Sequence, residues 1–296
     1  MSMDPSPKRA ASRGFFNDAA TFVERLPAMK PLKLFSGAVK GLTKLFYNLI
    51  SKFDKGENLV FMNYGFHHLH EEPPALEIPP GLENVRHQVH MYHRIAGAAD
   101  WRGRDGLEVG SGRGGGAAFI ARHFQPRSMT GVDLSDNAVA FCGRFHSDVA
   151  NLRFVQGDAE ELQFPDESFD IIINVESSLY YPNVEKFFAH VVRLLRPGGH
   201  FLYADMRYLE EVEHWKRQLA ETKLELLHEE DITKNAKHAL ALNQEYRQSL
   251  VKKYAPRPLR GMLSRFGGAD GGRLAAGDPL HGERVYKRFV FRKLTM

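Results

Sequence analysis

Leu107-Glu108-Val109-Gly110-Ser111-Gly112-Arg113-Gly114-Gly115-Gly116 is the stretch that decides the fold of this 296-residue chain. An apolar strand runs into a cluster of glycines, and a helix over 114–124 follows. A strand that turns tightly on glycine and re-enters as a helix turns backbone N–H groups toward a ligand. Gly131-Val132-Asp133-Leu134-Ser135 and Val155-Gln156-Gly157-Asp158-Ala159 each carry a second and a third strand into a carboxylate. Together the three stretches describe the nucleoside-binding edge of an open α/β sheet.

Gly110, Gly112 and Gly115 satisfy the spacing G-x-G-x-x-G, and Asp133, 23 residues after Gly110, stands where a ribose-binding acid belongs. That pattern alone fits a dinucleotide. Three features point elsewhere. Glu108 places a negative charge at the pocket, which repels a pyrophosphate but suits an amino acid bearing a sulfonium cation. Gly114 widens the loop for a bulky amino-acid moiety. Gly157-Asp158-Ala159 offers a carboxylate and an adjacent backbone N–H to an adenine edge.

On these residues the chain resembles the class I S-adenosylmethionine-dependent methyltransferases. The resemblance continues through Leu162-Gln163-Phe164-Pro165-Asp166-Glu167-Ser168-Phe169-Asp170-Ile171-Ile172-Ile173 and Leu194-Leu195-Arg196-Pro197-Gly198-Gly199-His200-Phe201, so that it covers residues 85–210. It implies a Rossmann-like, seven-stranded α/β sheet with S-adenosylmethionine as cofactor and S-adenosylhomocysteine as product. Carried onto this sequence, the cofactor contacts fall on Tyr64, Glu108, Gly110, Ser111, Gly112, Asp133, Leu134, Asp158, Ala159, Asn174 and Glu176.

Periodicity fills in the rest. Strands are expected at 106–110, 128–133, 152–156, 169–175, 199–204, 224–227 and 283–293, and helices at 83–99, 136–146, 183–196 and 208–220. That rhythm builds a parallel sheet with helices on both faces. The methyltransferase domain is read as 83–296, with a helical cap insertion at 232–266 (helices 232–253 and 257–266) and a glycine-rich flexible loop at 267–282. Upstream lie a disordered leader, 1–14, and an N-terminal helical lid, 15–82, with helices at 15–26 and 32–53.

Composition narrows the function. With 43% apolar and 26% charged residues the chain is an ordinary globular protein. A lone cysteine, Cys142, excludes a disulfide scaffold and reads as a small buried hydrophobe. A net charge of +4 without a dense Lys/Arg tract gives no sign of a nucleic-acid partner. No apolar run approaches the ~20 residues of a membrane span, and the N-terminus lacks an apolar signal core, so a cytoplasmic location is expected. In the segment 32–53, Phe35, Leu42, Leu45, Phe46 and Leu49 recur at helical spacing beside Lys33, Lys40, Lys44 and Lys52. This basic amphipathic helix either packs on its own domain or lies on a membrane surface. Oligomerisation is left open.

The acceptor should meet residues after the fourth and fifth strands, Asn174-Val175-Glu176-Ser177-Ser178-Leu179-Tyr180-Tyr181-Pro182 and Tyr203-Ala204-Asp205-Met206-Arg207. The Asn-Pro-Pro-Tyr signature of enzymes acting on planar amides and bases is absent. The segment resembles small-molecule O-methyltransferases, and in particular the mycobacterial phthiotriolone dimycocerosate methyltransferases, through Glu71-Glu72-Pro73-Pro74, Tyr92-His93-Arg94 and the final strand. The resemblance implies O-methylation of a hydroxyl on a hydrophobic polyketide, lipid or related secondary metabolite. C-methylation of an isoprenoid or sterol-like acceptor, and a cofactor-binding protein with a non-methylating reaction, are the alternatives.

Relatives of this type place a histidine three or four residues after the position of Glu176, paired with a carboxylate at the position of Asp205; here Leu179 and Tyr180 stand there. The catalytic candidates are therefore His67 or His68 as base, Asp205 as orienter and Tyr180 as a group that positions the acceptor. Glu176 and Asp205 also invite magnesium, but Met206 supplies no third oxygen ligand, and no metal site is assigned.

Overall fold

A computed structural model describes residues 59–76, 78, 83–254 and 283–295, with isolated positions at 41, 257, 260, 261 and 264. The expected leader, the helix at 15–26, all of the helix at 32–53 except position 41, and the loop 267–282 lie outside the described residues, as does most of 257–266.

The sheet has seven strands: β1 (Asp105–Val109), β2 (Ser128–Asp133), β3 (Leu152–Gln156), β4 (Phe169–Val175), β5 (Leu195–Tyr208), β6 (Glu225–Asp231) and β7 (Arg284–Arg292). Their spatial order is β3-β2-β1-β4-β5-β7-β6. The pairs within β3-β2-β1-β4-β5 are parallel, and β7 runs antiparallel to both β5 and β6. The order reverses between β1 and β4, and that switch point is where an open sheet leaves a crevice for ligand. Central β1 is buried along most of its length, whereas edge strand β6 leaves Leu226 and Leu227 exposed.

The connecting helices are α1 (Arg86–Ala96), α2 (Gly115–His123), α3 (Asp136–Phe145), α4 (Val184–Leu194), α5 (Val212–Glu221), α6 (Thr233–Leu242) and α7 (Gln244–Tyr254). Alternation along the strands splits the core into two layers. Ile171, Ile173, Leu202, Ala204 and Tyr286 meet α1, α2 and α6 on one face. Ile172, Phe201, Tyr203, Phe289 and Phe291 meet α4 and α5 on the other. Residues 59–70 form an extended strap on the first face, where Tyr64 and Phe66 are buried.

The expected strands all form, but two differ in extent. β6 runs on to Asp231, beyond the apolar run 224–227, because pairing with β7 carries its polar residues along. β5 reaches Tyr208, since β7 pairs with it as far as Arg284. The expected helix 232–253 is broken at Asn243, whose side chain leaves the helix to meet Gln88 at 3.1 Å. At the lower rim, Arg196 bridges Asp105 at 3.0 Å and Asp170 at 2.7 Å, which ties the starts of β1 and β4 together. No helix among the described residues is long and apolar enough to cross a membrane.

Candidate active site

The glycine loop leaves β1 through Gly110, Gly112 and Gly114, with φ of 75°, 53° and 79°. These left-handed values favour residues without a Cβ. At Gly110 space adds a second constraint, because a Cβ there would lie 1.9 Å from the Ser177 hydroxyl oxygen. The loop after β1 thus touches the loop after β4 across the switch point. The Gly110 and Ser111 amides donate to the Val132 carbonyl at 2.8 and 2.9 Å.

Asp133 ends β2 and holds the loop. Its carboxylate accepts from the Gly112 N–H at 2.8 Å and the Ser135 N–H at 2.9 Å. Burial pushes its pKa up to about 6, against the pull of those two amides. Leu134 beside it is half-buried. Asp158 and Ala159 follow β3 as expected, Asp158 accepting the Glu160 N–H at 2.9 Å. Cys142 is buried with its thiol directed at the Gly112 carbonyl, 3.4 Å away, and burial raises its pKa.

Glu108 falls on the α1–α2 face by strand alternation and is fully buried. It accepts the Tyr92 hydroxyl at 2.6 Å, and burial pushes its pKa up to about 8. The expectation of an open negative charge facing the pocket is therefore corrected: near neutrality this carboxyl is largely protonated. Asn174, on the other face, donates to the Val109 carbonyl at 2.8 Å and to the Tyr181 hydroxyl at 3.2 Å.

Glu176 sits just past β4 with φ of 51°, and its N–H donates to the Ala204 carbonyl at 2.9 Å. Continued alternation would direct its side chain to the same face as Asn174. The left-handed backbone carries it instead toward Tyr64 and Tyr286, which belong to the opposite core layer. One carboxylate oxygen, Oε1, accepts the Tyr64 N–H at 2.8 Å and the Tyr286 hydroxyl at 2.9 Å.

The strap crosses the glycine loop. A Cβ at Gly115 would meet the Val60 carbonyl at 2.7 Å, and one at Gly112 the Met62 sulfur at 3.4 Å. Helices α6 and α7 clamp the strap from outside. Arg247 donates to the carbonyls of Asn63 at 2.9 Å and Tyr64 at 3.3 Å, and Asn235 donates to that of His67 at 2.9 Å.

Asp205 does not meet the strap histidines. Its carboxylate accepts the Ser178 hydroxyl at 2.6 Å and the N–H groups of Leu179 at 2.9 Å and Met206 at 2.8 Å, with Arg207 at 3.4 Å. It braces the β4–α4 loop from inside. The His67 ring stacks on His238 and meets His87 edge-on, both at 5.3 Å. The His68 ring meets Phe66 and His90, and lines a cleft of 630 Å³ between the strap, Arg94, Glu230 and Lys237. Burial lowers both histidine pKa values. The expected histidine–Asp205 pair is thus not brought together among the described residues. Tyr180, half-buried, packs beside Leu179 on the apolar layer.

No group of three or more His, Cys, Asp or Glu side chains placed to hold a metal ion occurs among the described residues. Oε1 of Glu176 and both carboxylate oxygens of Asp205 are engaged by separate protein donors.

Three residues of this site carried no role in the sequence reading: Tyr92, Tyr286 and Arg247. The signal that betrays Tyr286 is a hydroxyl on the buried alternation of β7, where polar side chains need a partner.

The crevice suits the cofactor of the resembling family. Ser111 Oγ, Asn174 Oδ1 and Glu108 Oε2 are buried with no hydrogen-bond partner among the described residues. Each such atom costs about 1–3 kcal/mol unless a ligand group meets it. All three flank a loop whose glycines leave room for an approaching amino-acid moiety.

A family model described as a methyltransferase domain matches residues 107–203. The fatty-acid O-methyltransferase of Mycolicibacterium smegmatis is 41% identical over 228 residues, which cover 76% of this chain and 81% of that protein. The phthiotriol/phenolphthiotriol dimycocerosates methyltransferase of Mycobacterium tuberculosis is 36% identical over 256 residues, 86% of this chain and 93% of that protein. Among solved structures, the cyclase SpnF superposes with a TM-score of 0.66 at 19% identity, covering 88% of this chain and 97% of that one, a likeness of fold. The chain belongs to the class I S-adenosylmethionine-dependent methyltransferases.

Proposed function

We propose that this methyltransferase alkylates an oxygen atom of a hydrophobic, lipid-like acceptor. The observation that carries the reading is that Tyr64, Phe66, Leu179 and Ile232, with Tyr180 packed against them, belong to one apolar cluster, and that Glu176 is held to this cluster through the Tyr64 N–H and the Tyr286 hydroxyl. The names of the two mycobacterial relatives, one acting on fatty acids and one on phthiotriol dimycocerosates, support the same acceptor class.

The cofactor, when bound, supplies an electrophilic methyl group on a sulfonium. The chain's own residues do the rest. Asp133 and the glycine loop fix the nucleoside side of the crevice, and Asn174 offers an acceptor beside Gly110. The strap covers the loop and, held by Arg247 and Asn235, excludes water from the reacting atoms. Holding acceptor oxygen and methyl in line supplies much of the acceleration such a displacement needs. The reading includes a cytoplasmic enzyme whose segment 32–53 meets membrane-dissolved acceptor, supported by the alternation of lysines and large apolar residues there.

The test is incubation with methyl-labelled cofactor and a panel of long-chain alcohols, alkyl phenols and fatty acids, followed by mass spectrometry of the organic extract. Methyl ethers or esters are expected. Label appearing only at carbon, or no transfer by a protein that binds the cofactor, would overturn the reading.

A further inference from the structure

Glu176 has features that its place at the crevice does not by itself require. It is a non-glycine residue in the left-handed region, a strained conformation that persists where surrounding structure enforces it. The enforcement comes from two sides, the Tyr64 amide and the Tyr286 hydroxyl, respectively 112 and 110 residues away. Both donors take the same oxygen, Oε1. The other oxygen, Oε2, accepts no hydrogen bond from the described residues.

The groups around it are mixed in sign. Tyr64 comes from the strap, Tyr92 from α1, Asp205 from β5, Arg247 from α7 and Tyr286 from β7. Burial pushes the carboxyl up to about 7; the Tyr64 and Tyr286 bonds resist, Asp205 adds to the rise, and Arg247 opposes it. A carboxylate poised near neutrality with one oxygen anchored and one free has the form of a general base.

We propose that Glu176 is the catalytic base, and that the site is built to methylate an un-ionised hydroxyl. This rests on the acceptor reading above. As the acceptor oxygen bonds to the methyl carbon, the carbon–sulfur bond breaks and sulfur keeps its electron pair. The hydroxyl proton passes to Oε2 of Glu176, which turns the carboxylate into a carboxylic acid. Solvent removes that proton when the product leaves. Tyr286 and the Tyr64 amide are positioning groups: they hold the carboxylate and set its basicity without touching the acceptor. An acceptor already ionised, such as a fatty carboxylate or an acidic phenol, has no proton to give and does not need Glu176.

The experiment compares the wild-type protein with Glu176→Gln on two labelled acceptors of equal chain length, a neutral alcohol and an acidic alkyl phenol. Binding of S-adenosylhomocysteine is followed by calorimetry. The variant should lose about 100-fold or more in kcat on the alcohol, in the range of general-base catalysis, and a much smaller factor on the ionised phenol, with S-adenosylhomocysteine affinity measured alongside because weaker cofactor binding lowers both activities alike. Tyr286→Phe removes a bond that favours the carboxylate, so the rising limb of the alcohol pH profile should move to higher pH, with KM changing less. Equal losses on both acceptors, or an unmoved limb in Tyr286→Phe, would overturn the assignment. Isotope-edited infrared titration of the carboxyl, with Glu176→Gln as reference, provides a readout without turnover; titration in the ordinary glutamate range also overturns it. If the wild type methylates neither acceptor while the carboxyl titrates near neutrality, the acceptor reading fails and the poised carboxylate stands.

Discussion

The Tyr92 hydroxyl donates to Glu108 at 2.6 Å, and the Tyr92 ring fills the space that a side chain at position 116 would need. A Cβ at Gly116 would lie 2.1 Å from that ring. The helix before β1 and the helix after it are therefore locked together over the strand that carries the glycine loop.

Glu108 makes stability depend on pH. Its folded pKa of about 8 lies above the ordinary value of 4.5. The folded state thus holds a proton that the unfolded state releases, and the contribution is complete below about pH 4.5 and lost as pH rises through about 8. Glu108→Gln, neutral throughout, should gain on the wild type by on the order of a few kcal/mol across that window. Urea melts at several pH values check it; a constant difference between the two proteins would contradict it.

Gly110→Val should weaken S-adenosylmethionine binding by about ten- to a hundredfold, since φ of 75° and the nearby Ser177 hydroxyl both oppose a side chain. Asp133→Ala should do likewise by freeing the Gly112 and Ser135 amides, at about 1–3 kcal/mol for each one left unmet. Calorimetry showing wild-type affinity in either variant would exclude the loop as the cofactor site.

Arg247 bridges the insertion and the strap through two carbonyls. Arg247→Met should loosen the strap and speed hydrogen exchange at the Tyr64 amide, which is otherwise protected by Glu176. The KM for acceptor should rise more than the Kd for cofactor. Unchanged exchange would mean that Arg247 does not hold the strap.

Asp205→Asn should unfold at lower urea, by about 3 kcal/mol or more, because Ser178, Leu179 and Arg207 lose a buried charged partner. A shift below about 1 kcal/mol would place the loop's support elsewhere.

The parallel half of the sheet was legible because each strand's alternation ends in a residue with its own signature: Gly110, Asp133, Asp158. Those positions are defined by local backbone needs, which sequence records locally. The active side was harder to read. The partners of Glu176 lie more than a hundred residues away in either direction, on a strap and a last strand that carry no shared motif. Its face was misleading as well, since alternation directs residue 176 away from Tyr286 and only a left-handed backbone turns it back. The strap histidines drew attention for their chemistry, but their rings are used in packing against His87, His90 and His238.

The placement of β7 between β5 and β6 has a bearing on biosynthesis. A ribosome delivers the glycine loop, Asp133 and Glu176 early, and those parts can assemble on the parallel strands as they emerge. β6 then has no sheet neighbour until β7 arrives, and Glu176 lacks its Tyr286 bond until the same moment. A nascent chain can therefore be competent for cofactor before it is competent for transfer, with an open sheet edge for chaperones to guard in the interval.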